Sequence, residues 1–347
     1  MTDTNLPIYP LTFEPIYKEK VWGGRTLEKL GRTLPGGPDT LIGESWELAD
    51  LAQSSVSGGG GGAERSVICD GPLAGRTFSQ VIHEAGAAVL GDLPLTEDGG
   101  FPILLKFLDA RQNLSVQVHP SPAYAREHAD AYLKSEAWYV LSADPGAVIY
   151  KGVKPGVKPE QFREAIEQDR VEPLLITVPV KPGDCHYLPS GTCHALGAGV
   201  LVAEVQTPSD TTFRVYDWGR TGRELHVDQA MRCIEFGPPD VARHEPYTQV
   251  RGAFADITRL VVCEHFRIDR YRVAAAEAQA LTYPQPVVWM VLQGHGTISC
   301  DGAPDVTFGR GRTLYLPPGL RNGALHVDAG TTWLQVTFPQ ADPGSLA

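Results

Sequence analysis

The chain has 347 residues, enough for two domain-sized cores, and its 42% hydrophobic and 20% charged content is that of an ordinary globular protein. A formal net charge of −11 argues against a nucleic-acid partner, and it requires a local cluster of Lys and Arg wherever an anionic substrate is to bind. No stretch approaches the ~20 apolar residues of a membrane span, and the N-terminal residues carry no apolar run of the signal-peptide kind.

The six cysteines form no Cys-x-x-Cys pair and read as reduced, mostly buried thiols. The expectation is a cytoplasmic protein with neither a membrane nor a nucleic-acid partner. With 37 Gly and 28 Pro, many in turn-like positions, short strands and loops are favoured over long helices.

In chain order, strand-like pieces around Tyr9–Ile16 precede a polar turn at Trp22-Gly23-Gly24 and a brief helical pattern, Arg25–Leu30. Residues 42–49 alternate, with Glu44, Trp46 and Leu48 on one strand face. Ser57 and the five glycines behind it read as a hairpin tip. From Arg76 to Leu90, apolar residues at helical spacing predict a small helical insert. Phe101–Asp109 is an apolar strand with one lysine, Lys106, in its middle, expensive to bury unless paired or functional.

Residues 114–120 (LSVQVHP) alternate and stop at Pro120, so Gln117 and His119 share a face at a strand end. Helices are expected at Pro122–Lys134, Pro159–Gln168 and Arg223–Phe236, and strands at Glu136–Ser142 and Thr177–Val180. Pro238–Tyr247 reads as a linker.

The last third of the chain repeats the middle third. Residues 136–141 (EAWYVL) match residues 287–292 (VVWMVL), and residues 181–191 (KPGDCHYLPSG) match residues 309–319 (GRGRTLYLPPG). This order of strands and Gly/Pro turns resembles the cupin jelly rolls, so the fold class expected is mainly β, a bicupin with a helical insert in the N-terminal half. The expected division is a working cupin over residues 1–236, with the insert near 71–98, and a degenerate, metal-free cupin over 237–347. In register, Glu136 faces Val287 and His194 faces Asn322. One barrel keeps the polar residues and the other dispenses with them.

Gln117, His119, Glu136 and His194 therefore stand out as a mixed nitrogen and oxygen ligand set for a divalent metal. Zinc, iron, manganese, cobalt and nickel all remain open on chemistry alone. His186 is a neighbour or surface residue on this reading, and Cys185 and Cys193 are core thiols. Glu204 lies in an otherwise apolar strand, where burial should raise its pKa and suit it to general-base work. Arg214, Arg220, Lys106 and Lys134, with the Ser115 hydroxyl, are the groups available to a phosphate.

Residues 42–48 (IGESWEL), 101–120, 134–141 (KSEAWYVL), 189–196 (PSGTCHAL) and 204–220 (EVQTPSDTTFRVYDWGR) resemble, in order, the type I mannose-6-phosphate isomerases. The resemblance implies a zinc-dependent aldose–ketose isomerase, with one ion per chain on Gln117, His119, Glu136 and His194. It implies an active-site arginine at Arg214 and a substrate pocket including Ser115 and Lys134, with Lys106 in the matching strand. A sugar phosphate is the expected partner, and a monomer or weak dimer the expected assembly. Two other readings stay open: a different metal-dependent cupin enzyme, such as an oxygenase or another sugar isomerase, and a non-catalytic sugar-binding or regulatory cupin.

Overall fold

A computed structural model describes residues 6–52, 63–237 and 247–339. The glycine run and most of the expected linker lie outside these residues. Strands dominate, and the chain divides into two compact units, each built on two antiparallel sheets. The units are not the contiguous halves expected from sequence. One comprises Pro15–Glu64 and Ile103–Arg243; the other comprises Met1–Glu14, Arg65–Pro102 and His244–Ala347.

In the first unit a six-stranded sheet runs Cys185–Leu188, Glu136–Ala143, Val200–Gln206, Leu104–Ala110, Ile42–Leu48, Ile16–Gly24. It faces a five-stranded sheet in the order Leu175–Pro179, Val148–Val153, His194–Leu196, Val116–Val118, Phe213–Tyr216. Trp22, Leu108, Trp138, Val140, Leu196 and Val202 belong to one buried cluster. The five-stranded sheet presents Val116, Val118, Phe213 and Val215 to a separate core that includes Phe162, Ile166 and Ala230 from helices. Strict alternation then turns Gln117 and Arg214 to the other face of the sheet.

The predicted helices exist but are shorter. Pro122–Glu127 is capped by the Ser121 hydroxyl and ends at His128, whose ring stacks on Tyr124 at 3.9 Å. Arg223–Phe236 contracts to Val227–Cys233, and Pro159–Gln168 to Pro159–Glu167. The Arg25–Leu30 pattern is a 3-10 turn over Thr26–Leu30.

In the second unit the sheets have seven and four strands. The expected insert is two short helices, Phe78–Ala85 and Ala87–Leu90, broken at Gly86, whose positive φ of 50° favours glycine. Its apolar face belongs to this unit: Phe78 meets Phe13, Phe101 and Tyr315 edge-on, and the Tyr315 hydroxyl donates to the Val89 carbonyl at 2.8 Å. Leu11–Thr12 pairs with Thr313–Leu316 in the same unit. No helix among the described residues is long and apolar enough to cross a membrane.

Candidate metal centre and adjoining cavity

Each sheet of the first barrel contributes one row of polar side chains. On the five-stranded sheet, Gln117 is in register with His194 on one side and with Arg214 on the other. On the six-stranded sheet the row is Trp46, Lys106, Glu204, Trp138. Residues directly opposite in antiparallel strands bring their side chains together, so each row is a consequence of register.

Glu136 starts its strand two residues before Trp138 and is fully buried, at 0% exposure. His119, Glu136 and His194 each direct a ligand atom to a common place, these atoms lying within 4.8 Å of one another. His119 Nδ1 lies 2.9 Å from the Thr211 carbonyl oxygen, and His194 Nδ1 lies 2.8 Å from that of Thr192. A carbonyl only accepts, so each ring donates its Nδ1 proton there and keeps the Nε2 lone pair bare. These lone pairs face Glu136: His194 Nε2 is 3.1 Å from Oε1, and His119 Nε2 is 3.3 Å from Oε2. The first is a meeting of two acceptors, since Glu136 Oε1 finds no hydrogen-bond donor.

Lys134 serves the Oε2 side of the cluster, but Glu136 Oε1 and His194 Nε2 meet with no donor to Oε1, which is unfavourable in a buried place unless a cation joins them. The chemistry of this set fits a divalent metal. The Gln117 amide faces it, with Nε2 3.4 Å from His194 Nε2, and its oxygen and nitrogen exchange places by one rotation.

Charge around the cluster is uneven. Burial, followed by the neighbouring Lys134 charge, pushes His119 down to about 3, so its ring is neutral at ordinary pH. Burial opposes ionisation of Glu136, yet Lys134 together with His119 and His194 outweighs it and holds the carboxyl well below the usual range. The Lys134 ammonium donates to Glu136 Oε2 and lies 3.0 Å from His119 Nε2. Burial opposes its charge too, but Glu136, Glu204 and Glu44 raise its pKa.

Beside the cluster lies a cavity of about 260 Å³. Ser115, Gln117, Lys106, Lys134, Glu204 and Arg214 are among the residues that line it. Glu204 is 2% exposed; its Oε1 accepts from Trp138 Nε1 at 2.8 Å, while Oε2 has no hydrogen-bond partner and stands 3.6 Å from Lys106 Nζ. Burial first, and the Glu136 charge second, raise its pKa. Arg214 gives one Nη1 hydrogen bond to the Glu224 carbonyl at 2.6 Å and leaves its buried Nε unpaired.

Arg220 is placed differently from the expectation. It donates to Asp217 Oδ1 and to the Asn113 carbonyl and is not among the residues lining the cavity. Arg223 lines it instead, its Nε held by Asp217 Oδ2 at 2.8 Å. Arg223 was legible only as the start of a helix. Lys20 and Glu44 were missed as site residues: Glu44 Oε1 pairs with Lys20 at 3.1 Å, and Oε2 accepts from Trp46 Nε1 at 2.7 Å. Its alternation with Trp46 was the available signal. His186 is in register with Trp138 and lies outside the cavity lining, with Nε2 unpartnered.

Fold and site together define a two-barrel, cupin-like protein whose first barrel holds a buried His-Glu-His cluster that fits a metal, beside a cavity lined by lysines, arginines and carboxylates. A model of the phosphomannose isomerase type I catalytic domain matches residues 11–141. The mannose-6-phosphate isomerase ManA of Bacillus subtilis is 35% identical over 318 residues, 90% of this chain and 94% of that protein. The mannose-6-phosphate isomerase of Streptococcus mutans is 34% identical over 90% of this chain and 94% of its own length. The crystal structure of the mannose 6-phosphate isomerase from Bacillus subtilis superposes with a TM-score of 0.81 at 28% identity, covering 95% of this chain and 99% of that one. The chain belongs to the type I phosphomannose isomerase family and is an isomerase of mannose metabolism.

Proposed function

We propose that the first barrel interconverts mannose 6-phosphate and fructose 6-phosphate through an enediol, with one zinc ion held by Gln117, His119, Glu136 and His194. The observation that carries this reading is the convergence of the His119 and His194 Nε2 atoms on Glu136, whose Oε1 has no donor, beside a cavity with lysines, arginines and the unpaired Oε2 of Glu204. Two imidazoles with oxygen donors and no thiolate match catalytic rather than structural zinc sites. When bound, the ion supplies Lewis acidity toward the oxygens on C1 and C2 of the open-chain sugar.

The remaining work falls to the chain. Aldose-to-ketose conversion takes a proton from C2 and returns it to C1, while the hydroxyl proton on O2 leaves and O1 gains one. Glu204 is the base: Trp138 fixes one oxygen and leaves Oε2 free, and a raised pKa brings its proton affinity nearer the working pH. Lys134 and Arg214 place positive charge where the enediol carries its developing negative charge.

Arg214 and Arg223 repel each other, and after burial the charge of Arg223 is the main influence lowering the Arg214 pKa. An anion relieves that repulsion, so the phosphate binds on this side, with Ser115 and Lys106 as further substrate contacts. Arg220 acts by bracing Asp217 rather than by touching substrate. The second barrel serves as a metal-free packing domain for this reaction.

The test is a coupled isomerase assay with metal analysis of the same sample. Zinc near one equivalent per chain, with activity removed by chelation and restored by zinc, is the expected result. Full activity in chelated, metal-free protein rejects the proposal, and turnover of an oxygenase substrate instead favours the second cupin reading.

A further inference from the structure

Strand register makes the two barrels comparable position by position. In the first, Trp138 pairs with Glu204, Glu204 with Lys106, and Lys106 with Trp46; in the second, Trp289 pairs with Gln335, Gln335 with Asp269, and Asp269 with Arg259. Two residues along, the row Glu44, Leu108, Val202, Val140 becomes Ile257, Tyr271, Trp333, Val291.

Glu44 and Leu108 line the first barrel's cavity. At the same address the second barrel has a cavity of its own, about 380 Å³, lined by Ile257, Tyr271, Tyr283, Trp289 and Trp333 among others. Among the described residues, no Asp, Glu, Lys, Arg or His lines it. Half-buried Tyr271 gives the wall an aromatic ring, backed by Trp333, which stacks on it at 5.2 Å and 8°. Trp289 spends its indole N–H on Gln335 Oε1 at 3.0 Å. Trp333 is 2% exposed, and its Nε1–H finds no acceptor.

We propose that this cavity is a second ligand site and that it takes an uncharged, hydroxyl-bearing ring, a saccharide without phosphate. Aromatic faces pack against the apolar C–H face of a sugar ring. A ring hydroxyl or ether oxygen satisfies the Trp333 donor, which is costly to leave unpaired. With no cation among its described lining residues, the cavity lacks the partners that the first barrel's arginines offer a phosphate.

The experiment is calorimetric titration of the full chain with methyl α-mannopyranoside, a locked ring that no aldose–ketose isomerase can turn over. Saturable binding is expected, retained in Arg214→Ala and weakened about tenfold by Trp333→Phe, which keeps an aromatic ring but deletes the indole N–H together with the pyrrole ring that carries it. Tyr271→Leu, carrying the residue found at the matching place in the first barrel, should weaken it as well and serves if Trp333→Phe fails to fold. The proposal is overturned by no binding in the millimolar range, by binding that survives both second-barrel substitutions, or by binding lost in Arg214→Ala. Binding of toluene but not of the glycoside overturns it too.

Discussion

The two barrels share one buried hydrogen bond and differ in the charge it carries. Trp138 donates to the carboxylate of Glu204 at 2.8 Å; Trp289 donates to the amide of Gln335 at 3.0 Å. An amide oxygen satisfies the indole as well as a carboxylate does, so the jelly roll has no need of the negative charge. The neighbours follow suit. In the second barrel Asp269 is closed off by Arg259, whose Nε donates at 2.9 Å. In the first, Glu204 Oε2, Glu136 Oε1 and Arg214 Nε are all left without partners. Among the described residues, the second barrel's unpartnered buried atoms, Thr313 Oγ1 and Trp333 Nε1, belong to neutral groups, so it is unpartnered charge that sets the first barrel apart as a functional site.

That comparison is broken most severely by giving the first barrel the second one's residues. Glu136→Val, the residue at position 287, removes the one carboxylate of the cluster and leaves Lys134 buried without its nearest anion. Bound metal and turnover should both disappear, the latter by at least the ~10²–10³-fold of a principal electrostatic element; metal analysis and the coupled assay read them separately. Glu204→Gln, the residue at position 335, should keep the metal and the Trp138 hydrogen bond yet lower kcat by roughly 10²–10³-fold. Retention of near-normal kcat would move the proton transfer to another group, with Lys134 the next candidate.

Glu44→Ile, after Ile257, sharpens the contrast through stability. Burial disfavours ionised Glu44, but Lys106 and then Lys20 outweigh it and bring the carboxyl from 4.5 down to about 2. A depressed folded-state pKa contributes stability above the unfolded value, and that contribution is lost as pH falls from about 4.5 toward 2. The full difference amounts to ~3 kcal/mol at neutral pH. The gap in Tm between native chain and variant should therefore be wide at pH 7 and narrow progressively below pH 4.5. A gap independent of pH would mean that the substitution acts through packing alone.

Much of this was legible before any coordinates. Gln117, His119, Glu136 and His194 stood out as candidates because strand alternation and an internal repeat are properties of the chain itself, and the fold brings His119, Glu136 and His194 together. Lys106 and Glu204 declared themselves as charges inside apolar runs. What the sequence withheld depends on register and on the distances it creates. Nothing local distinguishes Arg220 from Arg223; only the fold turns one toward Asn113 and the other toward the cavity. The unit boundaries were missed for a similar reason. The insert looks contiguous with the first barrel along the chain, but its aromatic face is completed by Tyr315, more than two hundred residues later. Helix ends were overrun where the pattern continued past a residue such as His128, which leaves helical geometry at φ −132°, ψ 100°.

The smallest effect is expected at Asn322, which stands opposite His194 in the repeat. It is exposed, sits at a left-handed φ of 49°, and donates to Asp301 at 2.7 Å just before the Gly323–Val327 strand. Asn and Gly both tolerate that backbone, so Asn322→Gly should change stability by no more than about 0.5 kcal/mol. Asn322→Ala should cost roughly 1 kcal/mol through backbone strain. Both variants should isomerise within about twofold of the native rate, an effect close to the measurement error of most assays. If Asn322→Gly keeps its Tm while its kcat falls tenfold, the second barrel contributes to the reaction, and its polar losses are then a division of labour rather than decay.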